Sequence, residues 1–400
     1  MYSFSKHADV QFAVEDVLGG TWARAADVGE VLATVARVPD GDARAWVAQW
    51  SATAERLAGL ARDAEATGHL RSAAARWLRA AAYWSTASDR GDATGEFVPL
   101  WERHRDAWDR FADLTAAVGD VAVERLEIPY EGTTLPGYLF RPGPPGEPRR
   151  TLVHTNGSDG SAVSAWTRAI ADALARGWTA VTYDGPGQNA ALVRQGLPFR
   201  PDWEHVLTPV VDALVARADV DPARIAVMGV SQGGYWVPRA LASEHRVAAG
   251  VADPGVVDVS STMLAQLPAH LVRLLDAGDR EAFDREMGWA LRLSPATRTM
   301  LQWRMRPYGV SSPFDLFTAA RAYRLTPEQI AAVRCPVLVT DPEHEQFWPG
   351  QSARLAEALT CPVTLLPFTA EEGADGHCEP AAAGLRNERV LDWLDDVVPA

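Results

Sequence analysis

Lysine is almost absent from this chain of 400 residues: Lys6 is the only one, and every other member of its 38 basic residues is arginine. We read that as genomic base composition, without functional content. Cysteine is scarce as well. Cys335, Cys361 and Cys378 are odd in number and show no Cys-x-x-Cys spacing, which argues against a disulfide framework and against a zinc site. Positive charge is in deficit: the formal net charge of -14 would repel nucleic acid and anionic membrane surfaces. The first nine residues hold no apolar core for a secretory signal, and no run approaches the roughly 18 apolar residues of a membrane span. Together these absences predict a cytoplasmic protein with neither a nucleic-acid nor a membrane partner. The remainder is ordinary for a globular chain, 47% hydrophobic and 22% charged, with length enough for a large core.

The most informative stretch runs from Ile225 to Leu241. An apolar run, Ile225 to Met228, ends in Gly229-Val230-Ser231-Gln232-Gly233 and passes directly into a helical pattern. This strand-turn-helix context turns Gly-x-Ser-x-Gly into a nucleophile elbow, with Ser231 as the nucleophile. The turn is strained, and Cβ atoms at Gly229 and Gly233 would strike the neighbouring strand and helix. The backbone N–H of Gln232 then points toward a bound carbonyl.

In chain order, residues from about 8 to 118 read as helical. Trp46, Trp50, Leu57, Leu60, Ala61 and Ala64 share one face of a helix that Gly68 ends, and Leu70, Ala74, Trp77, Leu78, Ala81 and Trp84 share a face of the next. A third face runs from Phe97 through Trp108 to Leu114. No repeat of this period recurs, which excludes a helical array. The expected division is a helical N-terminal domain, 1–120, and a second domain, 121–400. The second opens with a hairpin, Val123 to Tyr130 and Leu135 to Phe140, and a Pro/Gly-rich surface loop, 142–148. Strands at Thr151–His154, Thr179–Tyr183, Ile225–Met228, Val247–Ala252, Val337–Thr340 and Val363–Leu366 then alternate with helices, closing with Asn387–Val398. Such alternation predicts an α/β fold with a mostly parallel sheet covered on both faces. About 259–333 is helical and too long for a plain crossover; we expect a lid, with helices at Leu264–Leu275, Glu281–Leu293, Pro295–Arg304 and Phe314–Tyr323.

A serine hydroxyl needs a base to take its proton and a carboxylate to orient that base. His344 and His377 lie beyond the elbow in strand-end loops. His377, in a Gly-rich loop between the last strand and the last helix, stands where the base belongs. The acid comes from the loop after Val337–Thr340, where Asp341, Glu343 and Glu345 compete. Counting four residues back from Pro349 selects Glu345, with Asp341 and Glu343 left as alternatives. A second oxyanion donor is expected from the loop after His154, at Ser158. Asp184-Gly185-Pro186-Gly187-Gln188 has neither Gly-x-Gly-x-x-Gly nor Gly-Lys-Ser/Thr and reads as a tight turn beside the site. Among the 15 tryptophans, Trp203, Trp236, Trp303 and Trp348 fall near strand ends or in the lid. Tyr235, Trp236, Trp348 and Asp253 are the expected pocket residues, suited to an aromatic substrate.

Elbow, acid loop and His loop in this order, from about 121 to 400, resemble the α/β-hydrolase superfamily. The helical N-terminal region, Asn156-Gly157-Ser158-Asp159-Gly160, the turn 184–188, Phe199-Arg200-Pro201-Asp202-Trp203 and the segment from Glu372 to Cys378 further resemble one branch. That branch holds the dihydroxypseudooxynicotine hydrolases and the fungal polyketide-shortening hydrolases of pigment biosynthesis. The resemblance implies cofactor-free hydrolysis of a carbon–carbon bond beside a ketone, or of an ester, in a small molecule. It carries Ser231, Glu345 and His377 over as the triad, with Glu in place of the commoner Asp. A transacylase or cyclase would use the same acyl-enzyme, and a binding protein of the same fold is the alternative from another class. Exposed aromatics on the helical region would also suit a homodimer interface.

Overall fold

The computed structural model describes residues 2–143 and 146–400; Met1, and Pro144 and Pro145 of the expected Pro/Gly-rich loop, lie outside the described residues. β1 (Val121–Tyr130) and β2 (Thr133–Pro142) form the expected hairpin. Its two-residue turn, Glu131-Gly132, has φ of 38° and 83°, the paired positive values that match the twist of the flanking strands. The remaining strands are β3 (Arg149–Thr155), β4 (Thr179–Tyr183), β5 (Val220–Val230), β6 (Ala249–Asp253), β7 (Val337–Pro342) and β8 (Val363–Phe368). They join in one eight-stranded sheet of order β1-β2-β4-β3-β5-β6-β7-β8. β2 runs antiparallel to β1 and β4, and the other pairs are parallel.

Alternation along each strand divides two cores. Leu152, Ala180, Ala226, Met228, Val251 and Leu338 face one, while Val153, Val181, Val227, Ala252, Val337 and Val339 face the other. The first core is continuous with the N-terminal helices Ala43–Ala66, Leu70–Ser88 and Phe97–Val118, through Trp50, Trp84 and Trp108. Leu60, expected on the inward face, is 39% exposed, because it sits at the edge of the apolar stripe. A buried ion pair, Arg105 to Asp184 at 2.8 Å, ties these helices to the turn after β4. The helical excursion between β6 and β7 has a small core of its own around Phe283, Leu301 and Phe317. Its two ends are stapled where they meet, Val259 N–H to Tyr323 O at 3.0 Å and Leu325 N–H to Val257 O at 2.8 Å. The expected single helix Leu264–Leu275 is two, Ser260–Ala265 and Ala269–Asp276, because Pro268 has no N–H to continue the first. No helix among the described residues is long and apolar enough to cross a membrane.

The site is positioned by strand order. β3 pairs with β4 on one side and β5 on the other, so the chain reverses its direction of progress across the sheet between β3 and β5. The loops leaving the carboxyl ends of those strands diverge there and leave a crevice. The register Thr155↔Gly229 sets the loop after β3 against the elbow after β5.

Candidate active site

Ser231 sits at the tip of the turn from β5 into the helix Gly233–Leu241, with φ of 58°, a left-handed conformation costly for a residue with a Cβ. Its surroundings hold it there: Ser231 N–H donates to Asp253 O at 2.6 Å. A Cβ on Gly229 would lie 2.1 Å from Gly233 O, and one on Gly233 would lie 2.8 Å from Thr155 O. Both glycines are therefore required by close approach, as the motif implied.

His377 Nε2 lies 2.8 Å from Ser231 Oγ, and His377 Nδ1 lies 2.8 Å from Glu345 Oε2. His377 and Glu345 are 4% and 7% exposed, so water does not compete for these bonds. The other Glu345 oxygen accepts the N–H groups of Phe347 at 2.7 Å and Trp348 at 3.0 Å. Burial pushes the Glu345 carboxyl up, but His377 and the two amides outweigh it and leave it below the usual range. It is held as the anion that fixes Nδ1–H toward itself and leaves Nε2 free to accept the serine proton. The two alternative acids are elsewhere. Glu343 accepts the N–H of Ala370 at 2.8 Å, and the Asp341 carboxyl is raised by burial and by the charge of Glu345.

A Cβ on Gly157 would fall 2.6 Å from Ser231 Cβ, so the Gly157–Ser158 peptide passes directly beside Ser231. Neither the Ser158 N–H nor the Gln232 N–H has a hydrogen-bond partner among the described residues. Two unspent donors thus flank the hydroxyl, the arrangement that stabilises negative charge developing on a carbonyl oxygen.

With this geometry set, relatives decide the family. The chain is 30% identical over 389 residues to the hydrolase LUC6 of a Fusarium species, covering 93% of this chain and 92% of the relative. It is 31% identical over 402 residues to the α/β hydrolase psoB of Aspergillus fumigatus, covering 92% and 88%. The chain belongs to the α/β-hydrolase superfamily. This hydrolase is also 29% identical to 20-hydroxy-prefusarin hydrolase FUS2 of Gibberella moniliformis, over 95% of this chain and 94% of the relative. The model of the prolyl oligopeptidase family matches residues 207–305, which include the elbow. Among solved structures, 2,6-dihydroxy-pseudo-oxynicotine hydrolase superposes with a TM-score of 0.72 at 19% identity, over 95% of each chain, a likeness of fold.

Other expected pocket residues of the hydrolase fall differently. Trp348 does reach the site, its ring 5.6 Å from that of His377, with its indole N–H on Val259 O at 3.1 Å. Tyr235 and Trp236 have no exposed surface. Trp236 stacks on Trp203 at 4.1 Å and donates to Arg200 O, while the Tyr235 hydroxyl donates to Pro201 O. The elbow helix turns both into the core against the segment 200–203, so neither forms the expected pocket wall. Asp253 lies beneath the serine, its carboxylate accepting the Thr340 hydroxyl at 2.8 Å. Beside it Glu379 is fully buried, and burial, with the charge of Asp253, raises its carboxyl well above the usual range.

Two features escaped the linear reading. The first helix, Ala8–Gly19, docks on the His loop: a Cβ on Gly19 would meet Pro380 O at 1.9 Å, and Arg168 bridges Asp16 to Cys378 O. It thereby places Phe12 6.3 Å from the His377 ring and 6.2 Å from Phe347. No local motif marks Phe12. The second is Gln188, 2% exposed, which donates to Asn156 O at 2.7 Å and Gly157 O at 2.9 Å while accepting Gly185 N–H at 3.0 Å. The tight turn after β4 therefore clamps the loop that bears the Ser158 N–H. Gln188→Ala is expected to cost about 10- to 100-fold in kcat with a smaller change in KM, the scale of displacing one oxyanion donor. Steady-state kinetics with an undiminished kcat would show that this clamp does not position the donor.

Proposed function

We propose that this chain is a cofactor-free serine hydrolase that cleaves a carbon–carbon bond beside a ketone, or an ester, in a small aromatic or polyketide-like carbonyl compound. The observation that carries the reading is the unbroken hydrogen-bonded line from Ser231 Oγ through His377 to Glu345, with two unspent amide donors alongside. His377 takes the serine proton as Oγ adds to the carbonyl carbon, and the N–H groups of Gln232 and Ser158 hold the oxyanion. Collapse expels an enolate or an alkoxide, which receives the proton from His377. Water, deprotonated by the same imidazole, then adds to the acyl-serine and releases a carboxylic acid. The balance is one water consumed, with an acid plus a ketone formed from a 1,3-diketone, or an acid plus an alcohol from an ester.

An apolar rim of Phe12, Phe347 and Trp348 around His377 favours a substrate with a flat ring. The relative that hydrolyses 20-hydroxy-prefusarin supports a small secondary metabolite over a peptide. The net charge of -14 supports an enzyme that acts without nucleic acid or an anionic membrane as partner. The test is turnover, followed by mass spectrometry, of aryl 1,3-diketones, aryl esters, short thioesters and a dipeptide amide. Cleavage of a diketone to an aryl acid and a methyl ketone is expected. Cleavage of esters alone would restrict the enzyme to carboxylesterase chemistry, and acyl transfer to an added alcohol in preference to water would make it a transacylase.

A further inference from the structure

The helix Pro295–Tyr308 of the excursion between β6 and β7 reaches back over the nucleophile and touches both oxyanion residues. Arg304 Nη1 approaches Ser158 Oγ at 3.5 Å. Four residues on, and so on the same helical face, the Tyr308 phenol faces the side chain of Gln232. Leu301 is inward on this face as well, 5% exposed in the small core of the excursion, while Met300 points outward. Arg304 and Tyr308 are close enough that the guanidinium charge opposes the rise that burial imposes on the phenol, which stands at about 12.

The charge of Arg304 is not neutralised. Among the described residues no carboxylate lies within 4.0 Å of its guanidinium, whose neighbours are the uncharged Ser158 hydroxyl and the face of Trp303 at 4.5 Å. Two residues further along the helix, Arg306 is by contrast committed, paired with Asp92 and lying over Phe97. Burying a cation costs free energy unless an anion or a dense set of acceptors compensates, and Arg304 is half-buried without either. Gln232, 3% exposed beside it, is by contrast engaged, its side chain hydrogen-bonded to the Tyr308 phenol. A planar guanidinium with uncommitted N–H groups beside the oxyanion loop matches the two oxygens of a carboxylate.

We propose that Arg304 is a specificity-determining residue that binds a carboxylate carried by the substrate, placing the neighbouring carbonyl over Ser231. This deepens the hydrolase reading and rests on it: the substrate is an apolar, ring-bearing carbonyl compound that also carries an acid group. The excursion then closes over an acidic substrate by forming an ion pair that the free enzyme lacks.

The test uses benzoylpyruvate and its methyl ester, which share the diketone and differ in the carboxylate. Binding is measured by titration calorimetry on the full-length Ser231→Ala protein, so that it does not depend on turnover. The acid is expected to bind about 10- to 100-fold more tightly than the ester, the factor of one charge-assisted hydrogen-bonded contact. The preference is expected to vanish in Ser231→Ala/Arg304→Gln and to return in part in Ser231→Ala/Arg304→Lys, while affinity for the ester moves less than about threefold throughout. Equal binding of acid and ester, binding of neither, or a preference that survives Arg304→Gln in a folded protein would overturn the proposal. Failure of the hydrolase reading is seen separately, as absence of turnover of both compounds by the chain with Ser231 in place.

Discussion

Ser231→Ala is expected to lower kcat by about 10⁴-fold or more on any substrate the chain turns over, and to abolish covalent labelling by an aryl fluorophosphonate. The expectation is large because Ser231 and His377 act as one device. The imidazole Nε2 at 2.8 Å has no other acceptor role in the site, so without Oγ there is nothing for it to deprotonate except water. The same argument fixes the double variant. Ser231→Ala/His377→Ala is expected to be no worse than Ser231→Ala within a few-fold, since removal of either member disables the same step. The fold is expected to survive, because alanine at φ of 58° carries the same Cβ strain as serine. Single-turnover kinetics beside circular dichroism check both halves. A double variant whose loss equals the product of two large single losses would mean that the two residues work independently, contrary to the hydrogen-bonded line.

Glu345→Gln carries the second large effect. The amide preserves the shape of the side chain and, through its carbonyl oxygen, one set of bonds. It cannot both receive Phe347 and Trp348 N–H on one atom and accept from His377 Nδ1–H on the other. If the carbonyl oxygen stays on the two backbone amides, the NH2 group faces Nδ1, and the imidazole must take the tautomer that carries its proton on Nε2, toward the serine. That tautomer cannot accept the serine proton. A loss of about 10³- to 10⁴-fold in kcat is therefore expected, with Asp341→Asn and Glu343→Gln within about tenfold of the unaltered enzyme. Near-normal turnover by Glu345→Gln together with collapse in Asp341→Asn would move the acid to residue 341.

The strength of that second expectation comes from tertiary structure more than from spacing. In the linear chain, Asp341, Glu343 and Glu345 are three carboxylates in one loop, separated by a count back from Pro349. In the fold, the loop after β7 turns so that only Glu345 points inward to His377. Glu343 is spent on Ala370 N–H, and Asp341 is still on the strand, paired in register with Pro367. In an extended chain residues two apart share a face, so 341, 343 and 345 would all point the same way; choosing between them requires knowing where the strand ends and the loop turns.

The elbow was legible because its requirements are local. A strand that ends, a positive φ and two positions where no Cβ fits are demands on five consecutive residues, and the glycines at 229 and 233 record them in the sequence. The parallel sheet was legible for a similar reason: strands buried on both faces read as continuous apolar runs, and alternation with helices implies crossovers. Only the tertiary structure decided what surrounds the serine. Phe12 comes from the first helix, Gln188 from a turn after β4, and Arg304 from the excursion after β6; each reaches the site through packing between elements far apart in the chain. Tyr235 and Trp236 illustrate the converse. They are four and five residues from the nucleophile, yet the helix rotates about 100° per residue and delivers them to the core. Sequence alone singled out Ser231, His377 and the sheet they stand on, because short-range sterics and periodicity dictate them. The lining of the pocket was left to the fold, because nothing in the neighbourhood of a residue along the chain encodes which distant surface it will meet.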